Sequence, residues 1–335
     1  MKFGAVPTGE AEGALLGHGQ SIGARRLPKG HVLGTGDLAT ATAEGIASLI
    51  VAQLEPGDVA EDEAATRLAE ALAGDGVILS AARHGRVDLI ATCDGLFACE
   101  PAAVDAVNGW SEAIGLGTLW PLRPVRAGAV VATVKIIPYA VPGDVLAGAV
   151  EEARAAQIRV HAFAALAVGL IQTRLHGQPD KLFAATAATT RARLGRIGAN
   201  LVHDVACAHD VGPLALSIEA QVDVPVVLIA GASATVDRRD VIPSAIVAAG
   251  GTIDRLGMPV DPGNLLCLGR IGARFVIGLP GCARSPKRNG IDLVLERIAA
   301  GLPIDGGVIA KMGVGGLLAD TADRPEPREG RASAR

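Results

Sequence analysis

Beyond about residue 157 the sequence alternates unbroken apolar runs with helix-patterned ones, and this rhythm limits the fold more than any other feature. A strand covered by helices on both faces of a parallel sheet hides both sets of alternate side chains, so it reads as a continuous apolar run. Residues 224–230 (VPVVLIA) read in this way. Expected strands cover residues 164–173, 200–205, 224–230 and 274–279, and expected helices cover 180–197, 211–221, 242–249 and 285–300. The fold class that follows is α/β, with three α/β/α layers around a mostly parallel sheet.

The preceding residues read differently. The first 60 are rich in Gly and Thr, with short apolar pieces such as residues 45–52 (GIASLIVA) between turn formers, which points to small strands and loops. Residues 61–73 (EDEAATRLAEALA) have a helical period, with acids in the first turn and Leu68 and Leu72 one turn apart, and Gly74-Asp75-Gly76 ends that helix. Residues 87–91 and 129–137 read as strands, 101–110 as a short helix, and 142–156 as a helix joining two domains. The expected organisation is a smaller, mixed, β-rich domain over residues 1–156, the α/β domain over 157–310, and a disordered tail over 311–335, where Arg, Glu, Pro and Ala take over.

Composition narrows the function classes. Apolar residues make up 50% and charged residues 20%, which excludes a disordered chain, and 43 glycines exclude a long coiled coil. A net charge of -4 supplies no global field for nucleic acid or an anionic membrane, so an anionic ligand must be held locally. The start lacks a basic segment followed by an apolar one, and apolar stretches such as residues 162–171 fall short of the roughly 18 residues that span a bilayer. A cytoplasmic protein with neither nucleic-acid nor membrane partners is expected. Cys93, Cys99, Cys207, Cys267 and Cys282 form no C-x-x-C pair and are expected as reduced thiols.

In an open parallel sheet, ligands sit beyond the carboxyl ends of the strands, where loops enter helix N-termini. Three loops qualify: residues 172–180 (QTRLHGQPD), 231–240 (GASATVDRRD) and 279–288 (LPGCARSPKR). The second offers hydroxyls and arginines for a phosphate and aspartates for a metal or proton, yet it reads equally as a strand-to-helix turn capped by Asp240 or Ser233. The third pairs a Pro-Gly turn with Arg284, Lys287 and Arg288, which could also be a solvated basic helix start. His203, Cys207 and His209 gather in one strand-like segment, where exposed histidines near a strand end are a plainer reading than a metal site. Arg83-His84-Gly85-Arg86 reads as a small basic turn, either solvated or touching a ligand. Gly34-Thr35-Gly36 lacks the rest of a dinucleotide fingerprint.

Over residues 157–302 these loops resemble the molybdopterin-binding domain shared by molybdopterin adenylyltransferases and molybdotransferases. That family has a buried strand, a Gly-Gly-Thr-Gly-type loop ending in aspartate, and a helix with an early proline; here this reads LIAGASATVDRRDVIPSAI. A Pro-Gly-Lys segment and a Leu-Pro-Gly-Asn-Pro-x-Ser segment follow in the family; here they read DPGNLLCLG and FVIGLPGCARS. The resemblance implies a molybdopterin site with Gly231, Ser233, Thr235, Arg238, Arg239, Pro262, Gly263, Asn264, Pro280, Gly281 and Ser285 as binding residues. It further implies Asp240 and Asp180 as catalytic acids, Asp240 as a ligand to Mg²⁺, ATP or CTP as co-substrate, and a homo-oligomer.

The departures are specific. Gly231-Ala232-Ser233 replaces the paired glycines, Asn264 stands where the family has a lysine, and Cys282 replaces an asparagine. Arg238, Arg239, Arg284 and Arg288 are candidates to restore the missing positive charge. The segments LPKGHVLGTGDL, VAQLEPGDVAEDEAATRLAEAL and VVATVKIIPYAVP are similar to a subgroup often fused to a molybdenum cofactor nucleotidyltransferase domain. No glycine-rich nucleotidyltransferase loop follows residue 310. The expectation is therefore a protein that binds molybdopterin or its nucleotide form in molybdenum cofactor biosynthesis or delivery and presents it to a nucleotidyltransferase or a molybdoenzyme, against the alternative of a non-catalytic interaction protein that retains the fold.

Overall fold

The computed structural model describes residues 1–318. The chain divides into two compact units, with the division between His161 and Ala162. It falls after the helix Gly143–Ala156 because the next segment still belongs to the first unit: Ile158 N–H donates to Leu72 O and Val160 N–H to Asp75 O, both at 2.9 Å.

In the second unit a six-stranded sheet runs in the order Asn200–Ala208, Ala167–Arg174, Val226–Ala230, Arg274–Gly278, Cys267–Ile271, Thr252–Leu256. The first four strands pair in parallel, and the last two pairings are antiparallel because Cys267–Ile271 runs against its neighbours. Along Val226–Ala230, Val226, Leu228 and Ala230 enter one core while Val227 and Ile229 enter the other, so the whole strand has to be apolar. Helices Asp180–Gly195 and Gly290–Ala299 close the first core through Leu194, Val294 and Leu295. Helices Val211–Glu219 and Val241–Ala248 close the second through Leu214, Ile218, Ile242 and Ile246. Helices thus cover both faces of a mostly parallel sheet.

Two elements of this unit differ from expectation. The antiparallel pair Thr252–Leu256 and Cys267–Ile271 has no continuous apolar run, since its outer strand is only half-buried and carries Asp254 and Arg255. The helix expected from residue 285 begins at Gly290, because Asn289 caps it: the Asn289 side chain accepts from Ile291 N–H, and Asn289 N–H donates to Asp292 Oδ2 at 2.7 Å.

In the first unit, helices Glu61–Leu72, Pro101–Trp110 and Gly143–Ala156 share a core with the sheet Ile114–Thr118, Val130–Ile136, Arg86–Ala91, Val77–Leu79. A smaller core of Leu16, Leu33, Leu49 and Val51 forms around Lys2–Pro7, Ser48–Gln53 and Leu15–Leu16. The region expected to hold only strands and loops contains the helix Thr35–Ala43 as a correction. Its threonines and Gly36 give it low intrinsic propensity, and it is held by Asp37, whose carboxylate accepts Gly34 N–H, and by burial of Leu38 and Ala41. Of the expected tail, residues 311–318 are structured: Lys311–Gly313 forms a 3-10 turn and Leu318 N–H donates to Asp261 O at 2.9 Å. Residues 319–335 lie outside the described residues. Among the described residues no helix is long and apolar enough to cross a membrane.

The cysteines report on this packing. Cys267 is fully buried, and burial pushes its thiol up to about 12, whereas Cys282 is exposed. In native-state alkylation followed by peptide mass spectrometry, Cys282 should react first and Cys267 only on unfolding. Equal rates at the two would contradict this core assignment.

Candidate binding site at the carboxyl edge of the sheet

The four parallel strands end at one edge, so the loops that follow them are neighbours. Pairing of Cys267 with Gly278, and of Leu256 with Cys267, places residues 257–266 at the same edge. The three loops and the Asp261-Pro262-Gly263-Asn264 segment therefore come to one edge of one sheet. The closest tie between the second and third loops is Arg284, whose Nη2 donates to Gly231 O at 2.7 Å.

A chain of hydrogen bonds crosses three strand ends. Thr173 Oγ1 is buried and accepts Ala232 N–H at 2.8 Å. Its own proton needs an acceptor, and His209 Nδ1 lies 2.8 Å away. With Nδ1 accepting, the neutral ring carries its proton on Nε2 and donates it to Ser233 Oγ at 2.9 Å, a tautomer assigned by completing the bonds. The Ser233 proton is then left for a partner in solvent, since Ser233 is exposed. In the sequence Thr173 has no individual role and His209 is weighed only against a metal site; the signal for Thr173 is a hydroxyl residue ending an apolar strand. His203, within the strand that ends just before His209 and about 20 Å from it, pairs instead with Asp223 at 2.9 Å.

Other sequence-predicted residues divide by what they touch. Asp240 accepts Val241 N–H at 2.7 Å and Val236 N–H at 3.2 Å, so it caps the helix Val241–Ala248 and closes its own loop. Asp180 is exposed at the start of its helix and pairs with Arg174 Nη2 at 2.7 Å, while the Arg174 guanidinium lies 4.3 Å from the Phe183 ring. Gly231 must be glycine: a Cβ there would stand 2.8 Å from Ser233 O and 2.9 Å from Ile242. Thr235 is buried. Arg238 reaches Ile253 O at 3.2 Å, and exposed Arg239 folds onto Asp237 at 2.9 Å, which holds that carboxyl below its ordinary value. Arg288 is turned inward in a bidentate pair with Glu296 at 2.6 and 2.8 Å; burial raises the Glu296 carboxyl despite that pair.

The 257–266 turn braces the site. Pro262 and Gly263 are buried, with Gly290 N–H donating to Pro262 O at 2.8 Å, and a Cβ on Gly263 would come 2.7 Å from Gly290 N. Asn264 is exposed and its carbonyl accepts Met258 N–H at 2.9 Å. Pro280 is buried, whereas Gly281 faces open space. Ser285 is half-buried, its carbonyl accepting Arg193 Nη2 at 2.8 Å. Arg193 also donates to Ala283 O and Lys287 O, each at 3.3 Å, and forms a buried ion pair with Asp292.

Beside this edge is an open groove of about 660 Å³, lined by residues 174–178 and 206–208. That size suits a cofactor-sized molecule. Its lining offers the Arg174 guanidinium, which also pairs with Asp180, whereas the Ser233 hydroxyl and the Arg284 guanidinium lie outside that lining. A metal is less well provided for: among the described residues no three His, Cys, Asp or Glu side chains converge, and the Asp240 oxygens already accept backbone N–H groups.

No protein-family profile and no curated protein sequence matches the chain. Among solved structures it aligns with a molybdopterin biosynthesis MoeA protein from Pyrococcus horikoshii over 90% of this chain and 76% of that one, at 15% identity and a TM-score of 0.31. A structure of molybdenum cofactor biosynthesis protein B aligns over 41% of this chain and 88% of its own, at 15% identity and a TM-score of 0.28. A second MoeA structure from Pyrococcus horikoshii OT3 aligns over 90% of this chain and 76% of that one, at 8% identity and a TM-score of 0.26. Backbone agreement at this level does not assign an activity to this chain.

Replacing Arg193 by Met removes the cation beneath the third loop and leaves the Asp292 carboxylate buried without it. The expected loss of stability in chemical denaturation is about 3–5 kcal/mol. A loss below roughly 1 kcal/mol would mean that the third loop is held by other contacts.

Proposed function

We propose that the protein binds molybdopterin, or its nucleotide-linked form, at the carboxyl edge of the six-stranded sheet, and serves molybdenum cofactor biosynthesis or delivery. The observation that carries this reading is the Arg284 to Gly231 O bond of 2.7 Å, which joins the two loops whose sequences resemble the molybdopterin-binding pattern. Ser233, backed by His209 and Thr173, offers a hydroxyl proton to a phosphate oxygen, and the Arg284 guanidinium has donors beyond the one used on Gly231.

The bound pterin would supply the dithiolene that holds molybdenum; the chain's own residues bind and orient its phosphate. Adenylyl or molybdate transfer with ATP or CTP would need Mg²⁺ held by Asp240 together with oxygens of the bound molecule. Asp240 already closes its loop, so binding and presentation to a nucleotidyltransferase or molybdoenzyme is the better-supported role.

Equilibrium titration with molybdopterin under anaerobic conditions tests the reading. Ser233→Ala and Arg284→Met should each weaken binding about 10-fold or more, as loss of a charge-assisted hydrogen bond requires. Asp240→Asn should change affinity much less. No saturable binding by the unaltered chain would overturn the proposal, and release of pyrophosphate on adding ATP or CTP would replace presentation by transfer.

A further inference from the structure

The first unit contains a cleft of about 600 Å³ with two chemically distinct ends. One end is apolar and open: Ile137 is 62% and Phe3 55% exposed, and the Tyr139 ring is fixed by its hydroxyl donating to Leu16 O at 3.3 Å. The other end is charged. Lys29 Nζ lies 5.6 Å from the Tyr139 ring, and Lys135 Nζ donates to His84 O and stands 3.9 Å from Glu61 Oε2.

The charged end is held in shape by the backbone. His84 has a φ of 52°, a conformation that side chains other than glycine seldom adopt, and Gly85 N–H donates to Asp62 Oδ1 at 2.6 Å. Gly85 also makes room for the acid: a Cβ there would lie 2.8 Å from Glu61 Oε2. Burial raises the Glu61 carboxyl above its ordinary value against the pull of Lys135, so the group sits in a partly dry recess. An adjoining hollow of about 500 Å³ shares His84 and Lys135 and adds Arg83 and Arg86, the latter paired with Asp88 at 2.9 Å. Lys29, Lys135 and Arg83 therefore outnumber Glu61 around the two hollows, and the excess charge is positive.

We propose that this cleft is a second small-molecule site, for an anion that carries a flat apolar ring, with the anionic group against Lys29 and Lys135 and the ring against Ile137 and Tyr139. The cations supply the charge-assisted bonds, and the exposed aliphatic and aromatic faces supply burial for the ring. The site lies wholly in the first unit and does not depend on the function proposed for the second.

Phenyl phosphate is the probe, titrated into the full chain with amide shifts read by NMR and inorganic phosphate run alongside. Saturable shifts are expected at Gly30, Gly85 and Ile137, with phenyl phosphate binding about 10-fold tighter than inorganic phosphate. Lys135→Gln and Lys29→Gln should each weaken phenyl phosphate about 10-fold, and Ile137→Ser should weaken phenyl phosphate without changing inorganic phosphate. All three side chains have solvent access, so unchanged thermal unfolding should accompany these losses. Shifts confined to the Gly231–Ser233 segment, or equal affinity for the two probes, or affinity indifferent to both lysine variants, would each overturn the proposal.

Discussion

The buried Arg193–Asp292 pair is the interaction on which the second unit's ligand edge depends. A guanidinium out of water is tolerable only when its charge and its donors are all met. Here the charge is met by a carboxylate that also serves the cap of the helix Gly290–Ala299, and the remaining donors are met by the carbonyls of Ala283, Ser285 and Lys287. One side chain thus ties a helix, the start of another helix and an irregular loop into a single arrangement. Without it the carbonyls of Ala283, Ser285 and Lys287 would lose a shared donor, and the loop that carries Arg284 to Gly231 would rest on its own turn bonds and the Arg196 contact to Pro286 O.

From that anchor the edge is assembled in steps, each fixing the next. Arg284 holds the carbonyl of Gly231, and Gly231 allows the following residues to turn tightly enough for Ala232 N–H to meet Thr173. Thr173 then sets the tautomer of His209, which points its remaining proton at Ser233. The result is a surface whose outermost donor has been oriented before any ligand arrives, and preorganised donors of this kind hold anions without a reorganisation cost. The first unit reaches a comparable outcome by another route: a tight basic turn whose Gly85 N–H is held by Asp62 shapes a recess in which Lys29 and Lys135 face Glu61.

The sheet was readable from the chain because its central strands are buried on both faces and therefore leave no polar gaps, as in residues 226–230. Helix starts were readable where a cap stood beside an apolar period and obscure where a proline and a basic run preceded it, as before Asn289. The outer antiparallel pair escaped notice because a half-buried edge strand such as TIDRL carries neither a run nor a clean alternation. At the ligand edge the loops could be picked out from strand order alone, but the roles within them could not. Nothing local distinguishes an aspartate that caps a helix, as Asp240 does, from one left free for chemistry. Arg193 and Asp292 lie 99 residues apart, and Thr173, His209 and Ser233 sit on three different strand ends, so their contacts exist only once the sheet is formed.

The account stands or falls on what occupies the sheet's carboxyl edge in the cell. Native mass spectrometry of the full chain, purified gently and without oxygen from the cell that makes it, reads that occupant directly. The account predicts an adduct whose released fragment is a phosphorylated pterin, absent when Ser233 and Arg284 are both replaced. A chain that emerges bare, or with a pterin still attached after those replacements, would contradict it.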